Sequence, residues 1–221
     1  MTGRAASSGG GTSLLVVGAT GLVGRECVRQ ALDDPAVARV VVLARRPLEM
    51  QPAPPKLEAH VVDFERLEAN AALFGVAAII CALGTTIRQA GSRRRFRRVD
   101  FEYPLAVARL GLEQGARHFL LVSSLGASAR SRVFYSRVKG ELEDALLAMP
   151  YRAITIVRPS LLLGARAEFR LGEEIAKRLA PLVPGRYKPV PAAAVAAALV
   201  RAAREDRSGH RVIESAEIRR G

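Results

Sequence analysis

Leu14-Leu15-Val16-Val17-Gly18-Ala19-Thr20-Gly21-Leu22-Val23-Gly24 is the stretch that decides the fold. The four apolar residues read as a buried strand. Beyond the glycines, Val23, Cys27, Val28, Ala31 and Leu32 recur at helical spacing until Asp33-Asp34-Pro35 stops them. A strand, a turn with glycine at every third position and a helix together form a dinucleotide-binding unit. Gly18 lets the chain turn sharply off the strand, Gly21 leaves the backbone open to a pyrophosphate, and Gly24 lets the helix pack close to the sheet. Around them, Thr20, Leu22 and Val23 sit where unpaired N–H groups meet the positive end of the helix dipole, which suits an anion. With 19 glycines in 221 residues the spacing alone carries little weight. The strand before it and the helix after it supply the weight.

Outward from this unit, strand-like runs alternate with helical patterns. Leu14–Val17, Arg39–Leu43, His60–Val62, Ala77–Ala82, His118–Val122 and Ala153–Val157 read as strands, with Arg211–Glu214 as a last edge strand. Tyr103–Gln114, Val138–Ala148, Gly172–Leu179 and Ala192–Arg204 read as helices. The rhythm predicts an α/β fold, a Rossmann-type doubly wound parallel sheet with a small carboxyl-terminal substrate lobe. Residues 1–13, polar and rich in Gly and Ser, read as a flexible tail without a secretory signal. Residues 14–221 read as one domain, the lobe falling mainly at 160–191.

Composition narrows the class. Apolar residues make up 49% of the chain, and no apolar run approaches the ~18 residues a bilayer span needs. Cys27 and Cys81 fall in apolar elements, as buried thiols of a reducing cytoplasm would. The net charge of +13 comes from 30 arginines and only four lysines. Its densest run, Arg93-Arg94-Arg95-Phe96-Arg97-Arg98, reads as a solvated basic loop, since no aromatic platform, helix-turn-helix or zinc spacing supports nucleic-acid binding. The expected partner is a small-molecule substrate, with no membrane and no nucleic acid; a homodimer is left open. No metal-ligand spacing is present, and His118 reads as structural.

The end of the second strand bears on the cofactor. An acidic residue there would hydrogen-bond a ribose 2′-hydroxyl and repel a 2′-phosphate. The strand instead ends Ala44-Arg45-Arg46-Pro47, and two guanidiniums suit a phosphate, which points to NADP(H). After the third strand, Asp63 can accept from an adenine amino group, with Phe64 beside it. Ala82-Leu83-Gly84-Thr85 leaves the fourth strand where a dinucleotide would cross.

Tyr135-Ser136-Arg137-Val138-Lys139 supplies the chemistry. Residues four apart on a helix share a face, so the Lys139 cation favours the charged form of the Tyr135 phenol and equips it to exchange a proton with a carbonyl or alcohol. Ser123-Ser124 closes the fifth strand at its carboxyl end, where a hydroxyl can hold a substrate oxygen. A serine hydrolase is excluded because no Gly-x-Ser-x-Gly elbow surrounds Ser124.

Taken together, Gly18-x-x-Gly21-x-x-Gly24, Ser124, Tyr135 and Lys139 resemble the short-chain dehydrogenase/reductase superfamily. Ala82-Leu83-Gly84-Thr85-Thr86, Arg98-Val99-Asp100, His118-Phe119, Ser123-Ser124-x-Gly126-Ala127 and Tyr135-x-x-x-Lys139-Gly140-Glu141 resemble its atypical subgroup typified by the HIV Tat-interacting protein. The resemblance runs from about Leu14 to Arg201. It implies an NADP-binding Rossmann fold, a Ser-Tyr-Lys triad favouring Ser124 over Ser123, and passage of Arg158-Pro159-Ser160, with Leu161, beside the nicotinamide. The activity implied is an NADP(H)-dependent oxidoreductase acting on a small carbonyl or alcohol. A cofactor-sensing interaction protein, and an epimerase or dehydratase recycling a bound cofactor, are the alternatives. Arg166, Arg170 and Tyr187 can meet an anionic substrate.

Overall fold

The computed structural model describes residues 11–48, 54–160, 162–163, 188–205 and 207–220. Its centre is a seven-stranded parallel sheet. The strands are β1 (Thr12–Val17), β2 (Val37–Ala44), β3 (Leu57–Val61), β4 (Ala78–Cys81), β5 (His118–Val122), β6 (Ala153–Arg158) and β9 (Gly209–Glu214), in the order β3-β2-β1-β4-β5-β6-β9. The two-residue strands β7 (Leu162–Leu163) and β8 (Val190–Pro191) pair separately. The strand order reverses between β1 and β4, and doubly wound sheets hold ligands at the carboxyl ends of the strands on either side of that reversal.

Helices cover both faces. They are α1 (Leu22–Asp33), α2 (Ile87–Ala90), α3 (Arg93–Arg97), α4 (Tyr103–Glu113), α5 (Phe134–Leu147), α6 (Ala192–Arg204) and α7 (Ser215–Ile218). Alternation along β1 divides the core. Leu14 and Val16 join Cys27 and Ala31 of α1 and Val195 and Leu199 of α6; Leu15 and Val17 join Val107 of α4 and Leu142 and Leu146 of α5. Burial on both faces is why the central strands read as unbroken apolar runs.

Several expectations are corrected. The third strand begins at Leu57 rather than His60, because it is an edge strand whose polar Glu58 pairs with Arg39 of the neighbouring strand at 2.7 Å. Helix α5 starts at Phe134, four residues before its apolar stripe begins. The basic run is not a solvated loop. Ser92 caps α3 through its hydroxyl, which accepts from the Arg95 N–H, and Phe96 is fully buried between the arginines. The first strand begins earlier than expected: Thr12 and Ser13 belong to β1, and Ser13 Oγ accepts from the Ala77 N–H at 2.9 Å. Residues 1–10, Leu161, the helix expected at Gly172–Leu179, Arg166, Arg170, Tyr187 and most of the expected lobe lie outside the described residues.

Candidate active site

The glycine turn is built as its spacing requires. Gly18 has φ +84°, and a Cβ on it would stand 2.4 Å from the Ala82 carbonyl oxygen, so both its conformation and its neighbour demand glycine. A Cβ on Gly24 would lie 2.2 Å from the Gly18 carbonyl oxygen, which locks the start of α1 against the end of β1. Gly21 caps α1 with no side-chain acceptor. The first N–H groups of the helix, beside Thr20, Leu22 and Val23, are therefore open to an anion.

An open cleft of about 700 Å³ runs from this turn to the end of β2, lined by Thr20, Arg25, Arg29, Arg45, Arg46 and Leu48 among others. Arg29 is held by Glu26 and Asp33 at 3.0 and 3.1 Å. No carboxylate among the described residues pairs with Arg25, Arg45 or Arg46. The sequence pattern did not single out Arg25; its place one residue past Gly24 is the signal that brings it to the cleft. Across β3, Asp63 is exposed and accepts the Glu65 N–H at 2.9 Å, while Phe64 is buried with its ring 5.5 Å from that of Tyr103.

Beyond β4 the chain runs through Ala82, Leu83, Gly84 and Thr85. The Thr85 N–H donates to Asp100 Oδ2 at 2.9 Å, and Asp100 Oδ1 faces Lys139 Nζ at 2.7 Å. Asp100 and Lys139 are both buried. Gly84 lies beside this pair, a Cβ there standing 3.5 Å from the carboxylate and 3.8 Å from the ammonium. Asp100 is delivered by a π-helical turn, Arg98–Glu102, a device that re-aims single side chains and recurs at functional sites. Burial, the largest single influence, acts to lower the Lys139 ammonium, but the charge and hydrogen bond of Asp100 together with Tyr135 and Cys81 outweigh it and hold the group above its ordinary value. The role of Asp100 is absent from the motif reading, since its partner lies 39 residues away on another helix.

Tyr135 sits one turn before Lys139 on α5, partly buried, its ring 5.5 Å from that of Phe96. The two serines differ in their hydrogen bonding. Ser123 Oγ donates to the buried carboxylate of Glu143, which also binds Arg158; Arg158 in turn reaches Glu214 at 3.1 Å. Ser124 Oγ is buried and has no hydrogen-bond partner among the described residues. The loop between β5 and α5 is anchored to that helix, the Ser128 N–H donating to the Ser136 carbonyl at 3.0 Å.

The segment expected beside the nicotinamide is tied into the protein by its side chains. The guanidinium of Arg158 is engaged by Glu143 and Glu214, Pro159 accepts the Leu125 N–H, and Ser160 Oγ donates to the Lys188 carbonyl at 2.6 Å. The polar side chains of Arg158 and Ser160 are thus satisfied within the protein. His118 lies at the amino end of β5, away from the carboxyl ends of the strands, bonded to Thr155 Oγ1 at 2.9 Å.

Residues 18–206 match the family described as NAD(P)H-binding, and the chain belongs to that family. It is 35% identical to the protein HTATIP2 of Rattus norvegicus over 79% of this chain and 73% of that one. It is 34% identical to the mitochondrial protein FMP52 of Eremothecium gossypii over 92% of this chain and 94% of that one. Among solved structures, MoeE5 in complex with UDP-glucose and NAD overlays with a TM-score of 0.70 at 16% identity, over 90% of this chain and 74% of that chain. The Bordetella bronchiseptica enzyme WbmG in complex with NAD and UDP gives 0.71 at 13%, over 95% and 74%. At such identities the overlay shows the doubly wound fold alone. Membership of an NAD(P)H-binding family agrees with the expectation of an NAD(P)-dependent oxidoreductase-type enzyme.

The cytoplasmic expectation is overturned, because the similar proteins of Eremothecium gossypii and Candida albicans are named mitochondrial. The two thiols carry no information about compartment. Burial, chiefly, pushes both up, Cys81 to about 12, and keeps them inert wherever the protein resides.

Proposed function

We propose that this protein is an NADP(H)-dependent oxidoreductase of the atypical short-chain type, which reduces a small carbonyl or oxidises an alcohol through Ser124, Tyr135 and Lys139. The observation that carries the reading is Ser124 Oγ, a buried hydroxyl just past the carboxyl end of β5 with no hydrogen-bond partner among the described residues, which a ligand oxygen would satisfy. The dinucleotide fits the residues present. The uncapped start of α1 would hold the pyrophosphate and Arg45 and Arg46 the 2′-phosphate; Asp63 and Phe64 would flank the adenine. When bound, the nicotinamide supplies or accepts a hydride.

The remaining steps belong to the chain itself. Ser124 donates a hydrogen bond to the substrate oxygen and stabilises charge developing there. Tyr135 gives its hydroxyl proton to that oxygen, or takes one in the reverse direction. Lys139, held charged by Asp100, stabilises the negative charge left on the Tyr135 oxygen.

NADPH absorbance followed across a panel of aldehydes and ketones tests the reading. Tyr135→Phe should lower kcat about 100-fold or more while NADPH binding persists. An unchanged rate removes the mechanism, and tight NADPH binding without turnover of any carbonyl leaves a cofactor-sensing protein in its place.

A further inference from the structure

We propose that the substrate of this site is an anion, a carbonyl compound bearing a carboxylate or phosphate that Arg93 and its neighbours recognise; this rests on the reading of Tyr135 as the proton donor. Two segments flank Tyr135. One is residues 85–99, whose Phe96 packs on the Tyr135 ring at 5.5 Å. The other is residues 125–137, which lead into α5 and are fastened to it through Ser128 and Ser136. Together they hold nine arginines and no aspartate or glutamate.

The charges in these segments are not equivalent. Arg97 and Arg137 are answered by Glu141, and Arg98 by Glu65 and Glu102. Arg93, Arg94, Arg95, Arg130 and Arg132 are exposed, and no carboxylate among the described residues pairs with them. Arg29, Arg39, Arg204 and Arg211, elsewhere on the surface, each face a carboxylate within 3.1 Å. Uncompensated cations in the segments flanking Tyr135 raise the local concentration of anions and repel cations.

Arg93 gives the patch a defined geometry. Its guanidinium carbon lies 5.3 Å from the ring centroid of Phe134, the residue immediately before Tyr135. Stacking on a ring fixes the guanidinium plane and leaves its edge N–H donors free for a two-pronged contact with a carboxylate or phosphate. A substrate whose carbonyl meets Tyr135 and Ser124 therefore has a fixed cation beside it, and an anionic group on that substrate would be held there.

Two aldehydes that differ by one charge test this, 4-carboxybenzaldehyde and methyl 4-formylbenzoate. With NADPH, kcat/KM should be about tenfold or more higher for the carboxylate, and the advantage should shrink as salt rises. Arg93→Ala should bring the two aldehydes together, Arg93→Lys should fall between, and Arg94→Ala with Arg95→Ala should weaken the salt dependence. Calorimetry on the NADPH-bound protein, with terephthalate against terephthalamide, reads anion preference without turnover. Equal kcat/KM for the two aldehydes with no preference for terephthalate overturns the proposal. If neither aldehyde is reduced but terephthalate binds through Arg93, carbonyl reduction falls and anion recognition stands. Binding of a duplex oligonucleotide through these arginines, with aldehyde selectivity absent, assigns the patch to a macromolecule and also overturns the proposal.

Discussion

Lys139 Nζ stands 2.7 Å from Asp100 Oδ1, with both residues sealed from solvent. Removing one member of such a pair leaves the other charge buried and alone, which costs more than the pair itself contributes. Asp100→Asn keeps an acceptor for the Thr85 N–H but removes the counter-charge. It should lower the unfolding free energy by about 3 kcal/mol, read from urea denaturation. Replacing both partners, Asp100→Leu with Lys139→Met, should recover most of that loss while abolishing turnover. The sign of the pH effect follows from the raised Lys139 value. Its stabilisation is complete below the unfolded value near ~10.4 and is lost as pH climbs through the folded value, so the alkaline limb of the stability curve should move to lower pH in Asp100→Asn.

NADPH affinity should fall about a hundredfold or more when Arg45 and Arg46 are both replaced by alanine, since each charge-assisted contact to a phosphate is worth roughly 1.5–3 kcal/mol. NADH affinity should change much less. Adding Arg25→Ala should deepen the loss for NADPH, because that guanidinium lines the same cleft. Fluorescence titration of both nucleotides decides it, and equal losses for the two would remove the 2′-phosphate assignment.

What the sequence displayed and what it hid differ in kind. The β1 turn was legible because its requirements are local: only glycine tolerates φ +84° at Gly18 with a carbonyl 2.4 Å from where a Cβ would stand. Strands β4 and β5 were legible because burial on both faces leaves no polar residue to interrupt them. β3 lost its beginning because an edge strand carries Glu58 toward solvent and a neighbouring arginine. Phe96 was obscured by five arginines around it, and its packing on Tyr135 depends on a contact 39 residues away. Glu143 follows Tyr135 and Lys139 at helical spacing, yet a carboxylate in that position reads as surface charge. Only the fold brings it against Ser123 and Arg158, and so leaves Ser124 as the unpaired hydroxyl.

His118 should set part of the acid limb of stability. Burial pushes its imidazole down to about 4, with Glu205 opposing, so the folded protein keeps it neutral while the unfolded chain protonates near ~6.5. The unfolded state then binds the extra proton between those values, and stability falls as pH drops through that window, by at most about 1.4 kcal/mol per pH unit. His118→Gln should flatten this stretch of the curve, measured by chemical denaturation from pH 7 to pH 4. A slope equal to that of the wild type would mean that other groups carry it.

Gly18 and Gly84 should respond to the same substitution in opposite ways. Alanine at Gly18 meets left-handed strain of roughly 1–2 kcal/mol. It also drives a methyl into the Ala82 carbonyl, a backbone atom that cannot rotate aside. Gly18→Ala should therefore lose stability and cofactor binding together. Gly84 is different. A Cβ there would meet only Asp100 Oδ1 at 3.5 Å and Lys139 Nζ at 3.8 Å, both ordinary contact distances. Gly84→Ala should fold with a stability within about 0.5 kcal/mol of the wild type. Its methyl would nevertheless occupy the space beside the Lys139–Asp100 pair, where the proposed site would have the dinucleotide cross, so NADPH affinity should fall with no change in Tm. A variant that unfolds earlier without losing affinity would place Gly84 in the scaffold rather than in the groove.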